Sequence, residues 1–272
     1  MIIKTNNFDL KATLLSGQAF RIFENEDSSF DVVLKDRIIN VLQKDNELHI
    51  TSNINENLEK MVNYYFDLDR DYDYINDILS KDQLMKKCIE KCKGYIILKQ
   101  DPFEIYISYI ISQNNNVKRI SSTVNKISEK YGEKVIFNDK EYYLFPTYDK
   151  LKNITLDELR NFGVGFRDKY IKYFLDHYKE LKNLEFLSTE EALDKLMTFK
   201  GIGLKVASCI LLFGYGRFDV FPIDTWVKKY IVDNYSIKND QKIIKIFAQK
   251  TYDKYSGLAI QYMFHSKRNV DL

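Results

Sequence analysis

Between Phe30 and Ser52 apolar and polar positions alternate: the β-branched runs FDVVL, RIINVLQ and ELHITS are separated by the turn signals KD and KDN. That period of two predicts antiparallel strands. After Asn55 the period lengthens, and ENLEKMVNYYFDL, DQLMKKCIEKCKGYIIL and DPFEIYISYIISQ carry apolar residues three and four apart, the spacing of one helix face. Asp101 followed by Pro102 is a helix start, with Asp as the cap and Pro at the first helical position. The helical period continues through NNVKRISSTVNKISEKYG, TLDELRNFGVGF, DKYIKYFLDHYKEL, STEEALDKLMTF, LKVASCILLFG, DTWVKKYIVDNY and KIIKIFAQKTYDKYSGLAIQYMFHS, with no linker-like or repeated tract between them. The pattern predicts an α+β protein. An N-terminal antiparallel β domain over residues 1–80 leads without a flexible break into an all-helical domain over residues 81–272.

A chain of 272 residues is long enough to bury a substantial core. Its three cysteines, Cys88, Cys92 and Cys209, cannot form a disulfide framework, and no further ligand stands near the first two. Neither a metal nor an organic cofactor is expected. The N-terminus lacks a charged region followed by a long apolar run, and no apolar run reaches membrane-spanning length, so the reading is a cytoplasmic protein away from membranes. A net charge of only +2 is no nucleic-acid footprint by itself. Any such signal must be local.

The stretch FKGIGLKVASCILLFGYGRFDVFPIDTW, residues 199–226, is where the chemistry concentrates. Gly201 and Gly203 permit a tight turn between two helices, with outward amides and a helix N-terminus that suit a phosphate, although glycines also serve such corners for geometry alone. Lys205 follows in the first turn, at the mouth of the apolar run Val206–Phe213. One reading is a lysine that snorkels its head to water; the other is an amine nucleophile. Asp224, after Pro222, is a plausible helix cap, and a carboxylate fixed in that way is also suited to stabilise a developing cation. Lysine beside a fixed carboxylate suits displacement at a sugar carbon through a Schiff base.

These residues resemble the helix-hairpin-helix and catalytic aspartate segment of the DNA base-excision glycosylases. SGQAFR at 16–21, YYFDLD at 64–69, LKQDPFEIYISYIISQNNNVKRI at 98–120, LRNFGVGFRDKY at 159–170 and YSGLAIQYMF at 255–264 resemble, in the same order, the 8-oxoguanine DNA glycosylase/lyase family. The absence of cysteine after Cys209 argues against the related endonuclease III branch, which usually carries a C-terminal four-cysteine cluster. The resemblance implies a helical helix-hairpin-helix glycosylase core and a bifunctional enzyme that excises 8-oxoguanine from duplex DNA and cleaves the strand by β-elimination. Its expected partner is duplex DNA holding an oxidised purine, met by a monomer in a bacterial-type cytoplasm. Another damaged purine, or a non-catalytic helix-hairpin-helix DNA-binding protein, is the alternative.

Residue by residue, the resemblance implies that Lys205 is the nucleophile and Asp224 its electrostatic partner. Gly17 would read the damaged purine through its carbonyl, and Phe264 and Cys209 would sandwich the base. Asn114 would fill the vacated space in the duplex, Arg119 and Arg167 would contact the orphaned base, and Phe166 would wedge the stack. Each has a plainer competitor: core packing for Phe264, a turn for Gly17, a helix cap for the asparagines, solvated or phosphate-bound roles for the arginines. Lys200 replaces a common proline in the hairpin and adds a cation near the phosphate, alongside Gly201 and Gly203. Phe166 stands for a tyrosine of animal members, and Trp226 for a histidine near the DNA backbone. Ile260 lies where the family reads the base edge with glutamine. Helical spacing puts Ile260 with Phe264 on the pocket face and pairs Gln261 with His265.

Overall fold

The structure, a computed structural model, describes residues 1–268. Its N-terminal sheet has five antiparallel strands in the order β1-β5-β4-β3-β2: β1 (Ile2–Lys4), β2 (Ile22–Glu24), β3 (Phe30–Val33), β4 (Ile38–Lys44) and β5 (Glu47–Ser52). The three strands expected from alternation form the centre. The three-residue edge strands β1 and β2 were not anticipated.

Along β3 every residue is buried, because both faces of the sheet are covered. Phe30, Val32, Ile39, Val41, Leu48 and Ile50 pack with Leu10, Leu14, Leu58 and Val62 on one face. On the other, Val33 and Ile38 meet Phe137, Tyr142 and Leu144. These last residues belong to a second sheet, the hairpin β6 (Lys134–Phe137) and β7 (Lys140–Tyr143), which corrects the expectation of an all-helical remainder. Its two turn residues, Asn138 and Asp139, both have positive φ (49° and 58°), as a type I′ turn requires. The hairpin is tied to the first sheet by Tyr142, whose hydroxyl donates to the buried Asp31 at 2.6 Å.

In the helical part, the helices Pro102–Ile111 and Leu204–Tyr215 pack on one another at the centre. Every residue from Ile105 to Ile111 and from Val206 to Gly214 is buried, so neither helix has a polar stripe. The first begins as expected: the Asp101 carboxylate accepts from the amides of Phe103 and Glu104, with Pro102 in the first turn. The last helical stretch divides in two, Gln241–Tyr252 and Ser256–Arg268, at Asp253, whose φ of 47° cannot continue a helix. All three cysteines are buried and free. Among the described residues no helix is long and apolar enough to cross a membrane.

Candidate functional site

The glycine pair lies between the helices Thr189–Met197 and Leu204–Tyr215. The first helix starts in a capping box of Ser188 and Glu191 and gives way at Thr198. Gly201 then takes φ +84°, and an added Cβ would lie 2.3 Å from the Tyr170 ring, so glycine is required twice over, by conformation and by space. Ile202 is buried beneath the turn, while Gly203 is exposed and caps the next helix without a side chain. The first-turn amides are thereby left without a cap from their own N-terminal residue, the arrangement that receives anions at helix N-termini. The Lys200 ammonium sits 4.8 Å from the centre of the Tyr173 ring, beside this turn.

Lys205 lies in the first turn of the central helix, half-buried, one turn before Cys209. It makes no hydrogen bond or ion pair among the described residues. Asp224 is the N-cap of the helix Thr225–Tyr235, and its carboxylate accepts from the Val227 amide at 2.8 Å. The two charges act on one buried thiol. Burial pushes Cys209 up to about 11, with the Lys205 ammonium opposing that shift and the Asp224 carboxylate reinforcing it. Amine and carboxylate, borne by two different helices, are thus both felt at the same buried sulfur.

The residues expected around a base come from separate elements of the fold. Gly17 adopts φ +88° in a loop held by its neighbour Gln18, whose amide side chain donates to the carbonyls of Thr13 and Ile96 and accepts from Leu98. The Tyr109 hydroxyl donates to the Gln18 carbonyl at 3.4 Å. Burial drives that hydroxyl well up, with the Cys209 thiol as the next cause, so Tyr109 links the Gly17 loop to the thiol. Nothing in the sequence pattern marked Tyr109 for this role.

On the last helix Ile260 is buried and Phe264 half-buried. The partly open positions are Gln261, Phe264 and Lys267, three apart, whereas His265 turns inward and stacks on Tyr95 at 4.7 Å. Gln261 and His265 thus do not share an environment. Trp226 meets Phe264 edge-to-face at 5.5 Å.

The asparagine triplet divides its labour. Asn116 caps the helix Val117–Tyr131, Asn115 donates back to the Ile111 carbonyl, and Asn114 is exposed with φ +49°. Phe166 is 57% exposed. Arg119 is exposed as well. Arg167 is different: it is buried, and it donates to the carbonyls of Gln113, Asn114 and Val164 while its guanidinium lies 4.4 Å from the centre of the Phe166 ring. Burial, and then the neighbouring Arg119, lower its pKa. This arginine fastens the Asn114 turn beside Phe166, a role set by contacts across 53 residues that no local pattern announces.

Two family models match successive parts of the chain: 8-oxoguanine DNA glycosylase, N-terminal domain, over residues 1–106, and HhH-GPD superfamily base excision DNA repair protein, over residues 107–252. The crystal structure of Clostridium acetobutylicum 8-oxoguanine glycosylase/lyase with dsDNA containing cytosine opposite 8-oxoG is similar, with a TM-score of 0.92 and 35% identity over 100% of this chain and 99% of that one. A probable N-glycosylase/DNA lyase of Methanothermobacter thermautotrophicus is 26% identical over 240 residues, 79% of this chain and 76% of the relative. An N-glycosylase/DNA lyase of Arabidopsis thaliana is 30% identical over 207 residues, 70% of this chain but 56% of the plant protein, so the match spans just over half of that relative.

Proposed function

The chain belongs to the 8-oxoguanine DNA glycosylase family of the HhH-GPD base excision repair superfamily, and from that premise we propose that it excises 8-oxoguanine from duplex DNA and then cleaves the strand. What carries the reading is a half-buried Lys205 in the first turn after the hairpin, with no hydrogen bond or ion pair among the described residues, and an Asp224 carboxylate fixed as a helix cap, both charges being felt at the Cys209 thiol. A base stacked in a duplex hides its sugar carbon, so the nucleotide must leave the helix, at an unstacking cost of a few kcal/mol. The exposed Asn114 and Phe166 suit the vacated space, and the hairpin amides with Lys200 suit the phosphates. In the pocket the Gly17 carbonyl accepts the N7 hydrogen that 8-oxoguanine has and guanine lacks, and Cys209 and Phe264 flank the ring. The Lys205 amine attacks C1′, the glycosidic bond breaks with its electron pair on the base, and the Asp224 carboxylate steadies the positive charge developing on the sugar. Ring opening gives the lysine Schiff base, whose β-elimination releases the 3′ phosphate.

A panel of duplexes, each carrying one damaged purine opposite each normal base, tests this when strand cleavage and borohydride-trapped complex are scored together. Cleavage and trapping are expected with 8-oxoguanine. With Ile260, which offers no hydrogen bond, at the base edge, purines altered at that edge are expected to be accepted too; their rejection would assign the edge to Gln261, which stands with Phe264 among the partly open positions. Failure to trap on any duplex would remove the lyase; base release without trapping would leave a simple hydrolase.

The exposed and buried arginines give separate expectations. Arg119→Ala alters the dependence on the base opposite the lesion, whereas Arg167→Ala lowers activity opposite every base, since it releases the Asn114 turn. Lys200→Ala weakens binding to all duplexes alike and reduces the salt slope by about 0.9, the value for one phosphate contact. Binding and single-turnover rates across salt and opposite base check all three, and an unaltered opposite-base profile in Arg119→Ala would return that residue to plain solvation.

A further inference from the structure

The side chain two residues beyond the Asp224 cap is the only tryptophan of the chain, and it is held on several sides. Trp226 meets Phe264 at 5.5 Å between ring centres with planes 85° apart, and lies over Tyr230 at 5.2 Å with planes tilted by 31°. Tyr230 is anchored in turn by a 3.4 Å contact between its hydroxyl and the Cys88 thiol, on the helix Gln83–Lys91. The Lys267 ammonium stands 5.6 Å from the indole centre, one turn beyond Phe264. The indole therefore sits between the helix that Asp224 caps and the last helix, against the half-buried Phe264 ring.

We propose that Trp226 is a positioning residue that holds the Phe264 ring as the stacking wall for the extruded base; this rests on the glycosylase reading above. The physical argument is one of ring orientation. Phe264 projects from a helix whose neighbouring side chain Ile260 is buried, and the contacts at the side of its ring, that of Trp226 among them, set the plane the ring presents. An edge-to-face partner fixes that plane, because the ring hydrogens of one aromatic group point at the electron-rich face of the other. A base can then enter against a flat surface already in place, and the cost of ordering the ring is met before binding rather than during it. The indole itself need not touch the base, the sugar or Lys205.

A role in holding the stacking wall matters only when there is a base to stack, which separates it from damage to the Asp224 cap. Trp226→Ala and Trp226→Phe are compared with the wild type by thermal melting, by single-turnover base release from an 8-oxoguanine duplex, and by borohydride trapping on a duplex with a preformed abasic site. Trp226→Ala is expected to slow base release about tenfold while trapping on the abasic duplex stays near the wild-type rate, and Trp226→Phe, which keeps a ring at the contact, is expected to recover most of the loss. Base release at the wild-type rate in Trp226→Ala overturns the proposal. So does an equal loss in both reactions, which would place the effect on Asp224, Lys205 or the fold, and so does a Trp226→Phe variant no better than Trp226→Ala. A wild-type protein that neither releases the base nor is trapped would overturn the glycosylase reading, and this proposal with it.

Discussion

Lys205→Gln is expected to abolish the borohydride-trapped complex and to slow base release at least about a thousandfold, some 4 kcal/mol of transition-state stabilisation. Only a primary amine at this position forms the Schiff base that borohydride reduces. Glutamine keeps much of the length and polarity of the side chain, so a half-buried site in a first helical turn accommodates it with little strain. Lys205 has no hydrogen bond or ion pair among the described residues, so the substitution strands no buried partner. Affinity for lesion duplex is expected to persist, because the hairpin amides, Lys200, Arg119, Asn114 and Phe166 are untouched. A mobility-shift titration alongside trapping on an abasic duplex reads both halves. Normal trapping by the variant would remove Lys205 from the mechanism.

The same lysine shows how far the sequence could be read. The apolar run Val206–Phe213 looked like a poor place for an ammonium, and its burial on all sides explains the pattern: it is a central helix, and Lys205 sits at its open first turn. The hairpin glycines, the Asp101 start and the three central strands were legible because each depends on local chemistry: a positive φ, a cap, an alternation. β6 and β7 escaped because four-residue strands carry too little periodicity, although Asn138 and Asp139 between them are a turn signal. The break at Asp253 has neither glycine nor proline to mark it. Hardest to foresee were the residues whose role is set by distant partners. Arg167 is spent on carbonyls from another segment, Tyr109 joins the Gly17 loop to Cys209, and Trp226 reaches Phe264, and no spacing along the chain encodes any of these contacts.

Asp224→Asn is expected to separate the two tasks that one carboxylate performs. As a cap, Asp224 accepts from the Val227 amide at 2.8 Å, and the carbonyl of an asparagine side chain accepts the same bond. Asparagine and aspartate rank together at this position, so the melting temperature should move little, whereas Asp224→Ala should cost about 1 kcal/mol of stability. As an electrostatic partner the carboxylate supplies a full negative charge, which asparagine does not, at the moment the sugar becomes cationic. Removing a single preorganised group of this kind costs roughly a hundredfold to a thousandfold in rate. Asp224→Asn should therefore melt near the wild type and yet release 8-oxoguanine slower by about that factor in single turnover. The loss should be smaller on a preformed abasic duplex, where no glycosidic bond has to break and the oxocarbenium-like charge never develops. If Asp224→Asn releases the base at the wild-type rate, the carboxylate is a helix cap and nothing more, and the charge it shares with Lys205 at the Cys209 thiol has no catalytic meaning.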